Sequence, residues 1–274
     1  GYTLLYKERT MSEEIRLSVS KTKCFKQCKK QYEFSYILKL PKKDHDYHVF
    51  GKFCHKVLED FHRAYLEGDS KESFTFEITK AFKAAKEEFK EGMAPEMTRE
   101  CFAILKKYLH IVATEKTGPL AAKVIGCEKN FSFEIADKIL LNGMIDRIQI
   151  DDDGVLHIAD YKTTKNKKYL KNDWFQLLTY AYVMVHENPS IKKIRGSYIL
   201  LKHDFEFITT EFDVDQIMSV KDEYIEYAHA MLTEKEFPAS PSALCPYCDF
   251  IDSCLEGQQK SKNFSNNTFG EVKW

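Results

Sequence analysis

No uninterrupted apolar run in the 274 residues approaches the roughly 18 that a spanning helix requires, and the first residues lack a positive segment leading into an apolar stretch and a cleavage site. These absences argue against a membrane partner and a secretory route, and they predict a cytoplasmic protein. Net charge is missing too: 41 Lys and Arg against 42 Asp and Glu leave −1. The molecule as a whole therefore has no attraction for polyanions, and any nucleic-acid surface has to be local. Neither an internal repeat nor a low-complexity block is found, which sets aside solenoids and disordered arrays. What is there is 43% hydrophobic and 30% charged residues, enough to bury a sizeable core. Eight cysteines without a leader read as reduced thiols, so metal ligation explains a cysteine cluster better than a disulfide framework does.

Residues 1–17 read as an N-terminal extension, with Gly1–Thr10 standing ahead of Met11, and residues 257–274 as a polar tail beyond the last packed element. Between them, residues 18–256 read as one domain. Ser20 is placed to cap a helix running to about Leu38. Further helical patterns cover Val49 to Leu66, Lys71 to Gly92 and Pro95 to Glu115. From Ala122 β-branched and aromatic residues take over, predicting strands over Val124–Ile135, Lys138–Ile150 and Val155–Thr163, the last two joined by an Asp151-Asp152-Asp153-Gly154 turn. A helix over Asn172–Glu187, strands near Arg195–Lys202 and Glu206–Phe212, and a helix over Val214–Lys235 follow. This order predicts a mixed α/β sheet with a helical insertion at about residues 71–116.

Gly143-Met144-Ile145-Asp146-Arg147 is followed, thirteen residues after Arg147, by Asp160-Tyr161-Lys162-Thr163. Adjacent strands would bring the two acids together. Carboxylates are what hard divalent cations prefer, and such a cation polarises a phosphodiester and activates water. Alternation puts Asp160 and Lys162 on the same strand face, so an ammonium would stand beside the metal. Taken alone, Asp-x-Lys is common as an ion pair on solvated strands. Here both acids end apolar strands, where desolvation is costly without a cation. Gly51 and His55 share a helix face, as do Gln176 and Tyr180. His55 offers an imidazole nitrogen, and Gln176 with Tyr180 could hold a phosphate or base, although each pair also fits an ordinary amphipathic helix.

Cys245-x2-Cys248-x5-Cys254 lies in a Pro-flanked loop, and three thiols so close together fit chelation better than burial. A fourth ligand has to come from elsewhere, Cys24 or Cys28. Zinc held by Cys24, Cys28, Cys245 and Cys248 is one possibility, an iron–sulfur cluster another.

The ordered set Gly51-x3-His55, Gly143 to Arg147, Asp160 to Thr163 and Gln176-x3-Tyr180 resembles the motifs of RecB-like PD-(D/E)XK nucleases. The resemblance implies that His55, Asp146, Asp160 and the backbone carbonyl of Tyr161 bind magnesium or manganese, that Lys162 is catalytic, and that Gln176 and Tyr180 assist. The eponymous Pro-Asp is absent, since Ile145 precedes Asp146, and Glu128 stands where the family often has an acid. Ser18-x-Ser20-x7-Cys28, followed by Tyr32 and Tyr36, is similar to the opening of the iron–sulfur members, including the CRISPR-associated exonucleases and the AddB nuclease domain. That likeness implies a [4Fe–4S] cluster on Cys28, Cys245, Cys248 and Cys254, clamping the two ends of a restriction-endonuclease-like mixed sheet flanked by helices.

Lysines crowd the first helix (Lys21, Lys23, Lys26, Lys29, Lys30) and the segment after the Asp160 strand. Lys165, Lys167 and Lys168 are expected to form a phosphate-tracking rim. The expectation is a magnesium- or manganese-dependent deoxyribonuclease, an exonuclease on single-stranded DNA ends serving recombination, repair, phage replication or CRISPR adaptation. A homo-oligomer or a recombination or CRISPR partner protein fits such a role. The alternatives are an endonuclease, a noncatalytic DNA-binding or scaffolding protein on a nuclease-like core, and an iron–sulfur redox protein.

Overall fold

The computed structural model describes residues 13–67, 74–115 and 118–268. Both ends of the expected insertion, and residues 1–12, lie outside that range. The strands form a mixed sheet in the order β1-β3-β4-β5-β6, with β2 also paired to β3. Among the described residues no helix is long and apolar enough to cross a membrane. The chain divides into two compact units.

One unit comprises residues 45–132 and 142–222. Its three long helices are α3 (Asp46–Glu67), α4 (Phe74–Glu88) and α5 (Pro95–Thr114). Helix α3 follows from the spacing of Phe50, Phe53, Cys54, Val57, Leu58 and Phe61, all buried along one stripe. Ile78, Ala81 and Ala85 on α4 and Cys101, Leu105, Tyr108 and Val112 on α5 repeat that pattern, and Pro95 starts α5 at a position where no amide hydrogen is needed. These stripes merge into one apolar cluster that also takes in Ala159, Tyr161 and Ile199 from the sheet. Each fully buried large side chain there contributes about 1.5–3 kcal/mol.

The strands of this unit are β2 (Lys123–Ala136), β3 (Ile139–Ile150), β4 (Leu156–Lys162), β5 (Lys193–Leu200) and β6 (Glu206–Asp213). β2 and β3 begin or end in the other unit. The hairpin turn before β4 uses Gly154 at φ 79°, a left-handed conformation that suits glycine. β3 and β4 pair antiparallel with Arg147 opposite Ala159, and β4 and β5 pair parallel with Asp160 opposite Tyr198. The parallel pair is joined by α6 (Phe175–Glu187), as a crossover must be.

The other unit holds residues 13–44, 133–141 and 223–268 among those described. β1 (Ile15–Leu17) pairs parallel with the start of β3, Ile15 opposite Ile139. Helix α1 (Val19–Gln27) is capped by Ser18, whose hydroxyl accepts from the Lys21 amide at 3.2 Å, two residues before the expected cap. The expected continuous helix also breaks, at Cys28, which is extended (φ −159°, ψ 110°). Helix α2 (Lys29–Tyr32) and a π-turn (Glu33–Ile37) then resume it. Helix α7 (Val214–Thr233) begins in the first unit and ends here. The sequence predicts a tail from Gly257, yet Leu255–Thr268 forms helix α8, started by the Gln258 amide on the Cys254 carbonyl at 3.0 Å.

Candidate active site

Five elements of the first unit deliver the polar groups of one site. β3 carries Asp146, β4 carries Asp160 and Lys162, α3 carries His55, α6 carries Gln176 and Tyr180, and β2 carries Glu128. Because side chains alternate along a strand, Ala159 and Tyr161 enter the apolar cluster while Asp160 and Lys162 take the opposite face. The backbone amide of Tyr161 donates to Asp146 Oδ2 at 2.9 Å, and His55 Nε2 donates to the Tyr161 carbonyl at 3.2 Å. His55 Nδ1 lies 3.5 Å from Asp146 and 3.8 Å from Glu128. Ligand atoms of His55, Glu128 and Asp146 all fall within 4.8 Å of one another. Glu128 reaches this cluster from a backbone at φ 45°, a conformation costly for a non-glycine residue and one that concentrates at functional sites.

Asp160, Lys162, Gln176 and Tyr180 form a second polar group. Lys162 Nζ lies 2.8 Å from Asp160 Oδ2 and donates to Gln176 Oε1 at 2.9 Å. The Gln176 amide nitrogen donates to Asp160 Oδ1 and to the Tyr180 hydroxyl, each at 2.9 Å. Gln176 thus holds the acid and the ammonium in register. Asp160 Oδ2 is buried and, its ion-pair contact aside, has no directed hydrogen bond. Gly143 serves this arrangement by absence: a Cβ there would meet Phe131 Cζ at 2.6 Å, and the Phe131 ring packs edge-on against Tyr180 at 6.1 Å.

Burial pushes the Asp160 carboxyl up to about 6, with Asp146 adding to the shift and Lys162 opposing it. Burial disfavours charge on His55, but Asp146, Glu128 and Asp160 outweigh it and hold the imidazole protonated up to about 11. An imidazolium stands where a cation is called for. The donor set of one imidazole, carboxylates and a carbonyl oxygen fits a hard divalent ion.

Five of the eight cysteines, Cys24, Cys28, Cys245, Cys248 and Cys254, lie in the other unit. Cys28, Cys245, Cys248 and Cys254 line one cavity of about 210 Å³, in which Cys24 has no part. The Ser240 amide donates to Cys28 Sγ at 3.4 Å, the Ser242 amide to Cys245 Sγ at 3.2 Å and the Gly257 amide to Cys254 Sγ at 3.4 Å. Cys248 accepts from the Phe250 backbone. Burial pushes the Cys24 thiol up to about 12.

Residues 16–255 match the PD-(D/E)XK nuclease superfamily. The chain belongs to that superfamily. Curated relatives include an ATP-dependent helicase/deoxyribonuclease subunit of Streptococcus pyogenes, from serotype M12 strain MGAS2096 and from serotype M1, each 25% identical over 232 residues. The alignments cover 81% of this chain and 21% of each relative, so the chain spans about a fifth of their length. Among solved structures, a candidate exonuclease from Eubacterium rectale aligns at TM-score 0.49 and 12% identity over 92% of both chains. The protein SSO0001 aligns at 0.40 and 15% identity over 90% of this chain and 88% of its own.

In this PD-(D/E)XK chain the fold brings together His55, Asp146, Asp160, Tyr161, Lys162, Gln176 and Tyr180, the residues that the sequence singles out. Glu128 enters more centrally than its sequence position suggests, because the backbone turn that aims it leaves no mark on residue type. Of the lysines expected on a DNA rim, Lys165 and Lys168 are exposed, whereas Lys167 is paired with Glu206 at 2.5 Å. Arg147, read from sequence only as part of a motif, is fully buried behind the site. It donates to Tyr108 and Tyr161 hydroxyls at 3.0 and 3.3 Å, to Gln149 at 2.7 Å and to the Leu120 carbonyl at 3.1 Å.

Proposed function

We propose that the chain is a magnesium- or manganese-dependent DNA exonuclease acting on single-stranded ends. The observation that carries this reading is the Lys162–Gln176–Asp160 group standing beside the convergent His55, Glu128 and Asp146 ligands. A divalent ion held by those residues, Asp160 and the Tyr161 carbonyl would polarise the phosphodiester and supply an activated water. Lys162 stays charged despite its burial, because Asp160 and Asp146 more than offset the cost, so it stabilises negative charge on the phosphorane rather than acting as a base. Gln176 fixes the ammonium and the carboxylate relative to one another, and Tyr180 fixes Gln176. The printed name of the relatives, which contains deoxyribonuclease, favours DNA over RNA. A recombination or CRISPR partner protein, or self-assembly, is compatible with this activity.

The cysteine cavity supports a [4Fe–4S] cluster on Cys28, Cys245, Cys248 and Cys254. Backbone amides aimed at all four sulfurs favour thiolates, whereas burial pushes the Cys248 and Cys254 thiols up, Glu256 adding to the shift at Cys254, so a bound metal has to supply the rest of the stabilisation.

The test uses labelled DNA as linear single strands, linear duplex and covalently closed circles, with manganese and with chelator. Manganese-dependent shortening of linear single strands with circles left intact is expected. Cutting of circles would move the reading to an endonuclease, and binding without cutting would move it to a noncatalytic DNA-binding protein.

A further inference from the structure

The segment between β4 and α6, residues 163–174, is pinned at several points. His203 Nε2 donates to the Lys165 carbonyl at 2.7 Å, Lys167 pairs with Glu206 at 2.5 Å, Leu170 is buried, and the Tyr198 hydroxyl donates to the Asp173 carbonyl at 2.5 Å. Trp174 stacks on the Tyr198 ring, with centroids 5.8 Å apart and planes 8° from parallel. The same Tyr198 ring lies under Lys162 Nζ, 5.4 Å from the ring centroid. Out of this anchored segment one aromatic ring projects: Tyr169 is 55% exposed.

Single exposed aromatics are ordinary on protein surfaces. Phe76 on α4 and Phe102 on α5 are of that kind. Tyr169 differs in its surroundings: it stands in the short segment that leads from Lys162 on β4 to Gln176 on α6, and Lys165, Lys168 and Lys171 stand exposed along that same segment. A planar ring amid cations suits a nucleic-acid strand, whose bases have faces and whose backbone is anionic. It suits a single strand in particular, because only there are the base faces free to stack.

We infer that Tyr169 is a base-stacking residue of this site, carrying a nucleobase close to the scissile phosphate while Lys165 and Lys168 hold the adjoining backbone. This inference rests on the nuclease reading and adds to it the means by which an unpaired end is gripped. The anchored backbone presents the ring in a fixed place, so little ordering is required when the strand arrives. Lys168, next in the chain, acts through charge and is indifferent to whether a base is present.

The test measures binding of a fluorescein-labelled single-stranded oligothymidylate by anisotropy, with calcium as the only divalent ion, and of the same strand with abasic residues near its end. Wild type is compared with Tyr169→Ala, Tyr169→Phe and Lys168→Ala. Tyr169→Ala is expected to weaken binding about 5- to 100-fold. Tyr169→Phe, which keeps the ring, should bind as wild type does. Abasic residues should weaken wild type by a similar factor and Tyr169→Ala hardly further, since both remove one and the same interaction. Lys168→Ala should lower the salt dependence and leave the abasic effect intact. In turnover with manganese, Tyr169→Ala should raise KM more than it lowers kcat. Equal affinity of Tyr169→Ala and wild type, or an abasic penalty undiminished in Tyr169→Ala, would overturn the inference while leaving the nuclease reading in place. Failure of wild type to bind any strand would overturn both.

Discussion

Burial works against the charge on Lys162, yet Asp160 at 2.8 Å and the nearby Asp146 more than offset it and hold the ammonium above its ordinary range. On the proposed nuclease reading a lysine so held serves as a cation for the transition state, and truncating it should be felt in kcat. Lys162→Ala is expected to lower kcat about 10²- to 10³-fold with KM little altered, read from single-turnover cleavage. His55 has the opposite task. Its imidazole is held protonated up to about 11 by the acids around it, but only the neutral ring can ligate a metal. Binding of manganese near pH 8 should therefore release about one proton, visible by calorimetry in buffers of different ionisation enthalpy. No buffer dependence would contradict a His55 that is both protonated in the free protein and a ligand in the bound one. Glu128→Gln keeps the shape and removes a charge from the ligand group, and it should weaken manganese binding by about 10-fold or more in the same experiment.

At the scale of elements, β3, β4 and α3 are joined by a buried polar network that no single motif announces. Among the described residues Arg147 sits in the core without a carboxylate partner, held by Tyr108, Tyr161, Gln149 and the Leu120 carbonyl, and His62 on α3 contacts the same Tyr108 hydroxyl. Burial, reinforced by Arg147, pushes the His62 imidazole well below its ordinary value. In the unfolded chain this group titrates near 6.5. Stability should thus be full above that pH and fall as pH drops through it, because the unfolded chain takes up a proton that the folded one refuses. Urea titrations from pH 8 to 5 check this, and His62→Gln should flatten the acid limb. Much at this scale was legible in the sequence. The stripe from Phe50 to Phe61, the β-branched runs and the Asp151–Gly154 turn all announce their elements, because one residue type at a regular period has one structural use. The break at Cys28 was not legible, since Lys-rich flanks with Phe25 and Tyr32 keep a helical period across it. β1 is only three residues long, below what alternation can mark. The polar run after Leu255 carries no buried stripe to signal α8.

For the whole molecule, the site's ligands were legible as motifs, whereas their joining to Glu128 depends on a backbone angle and their coupling to Arg147 on packing. The eight cysteines divide by environment in a way that spacing could not resolve. Cys28 faces a cavity with three others and accepts an amide, while half-buried Cys24 does not line that cavity although Cys28 and Cys248 are near enough to act on it electrostatically, and Cys54 and Cys101 pack 3.5 Å apart in the helical core. Anaerobically purified Cys28→Ser should lose iron and the visible absorbance of a cluster, while Cys24→Ser should retain both. The net charge of −1 leaves steering of DNA to local lysines, so affinity should weaken as salt rises. Asp160 and Lys162, on one strand face beside a metal-shaped cluster, remain the centre of the account. The most direct test compares wild type with Asp160→Asn and Lys162→Ala on end-labelled single-stranded DNA, with manganese and then with chelator. Metal-dependent degradation by wild type alone is the predicted result. Degradation that persists in both variants, or none by wild type that binds manganese, would contradict it.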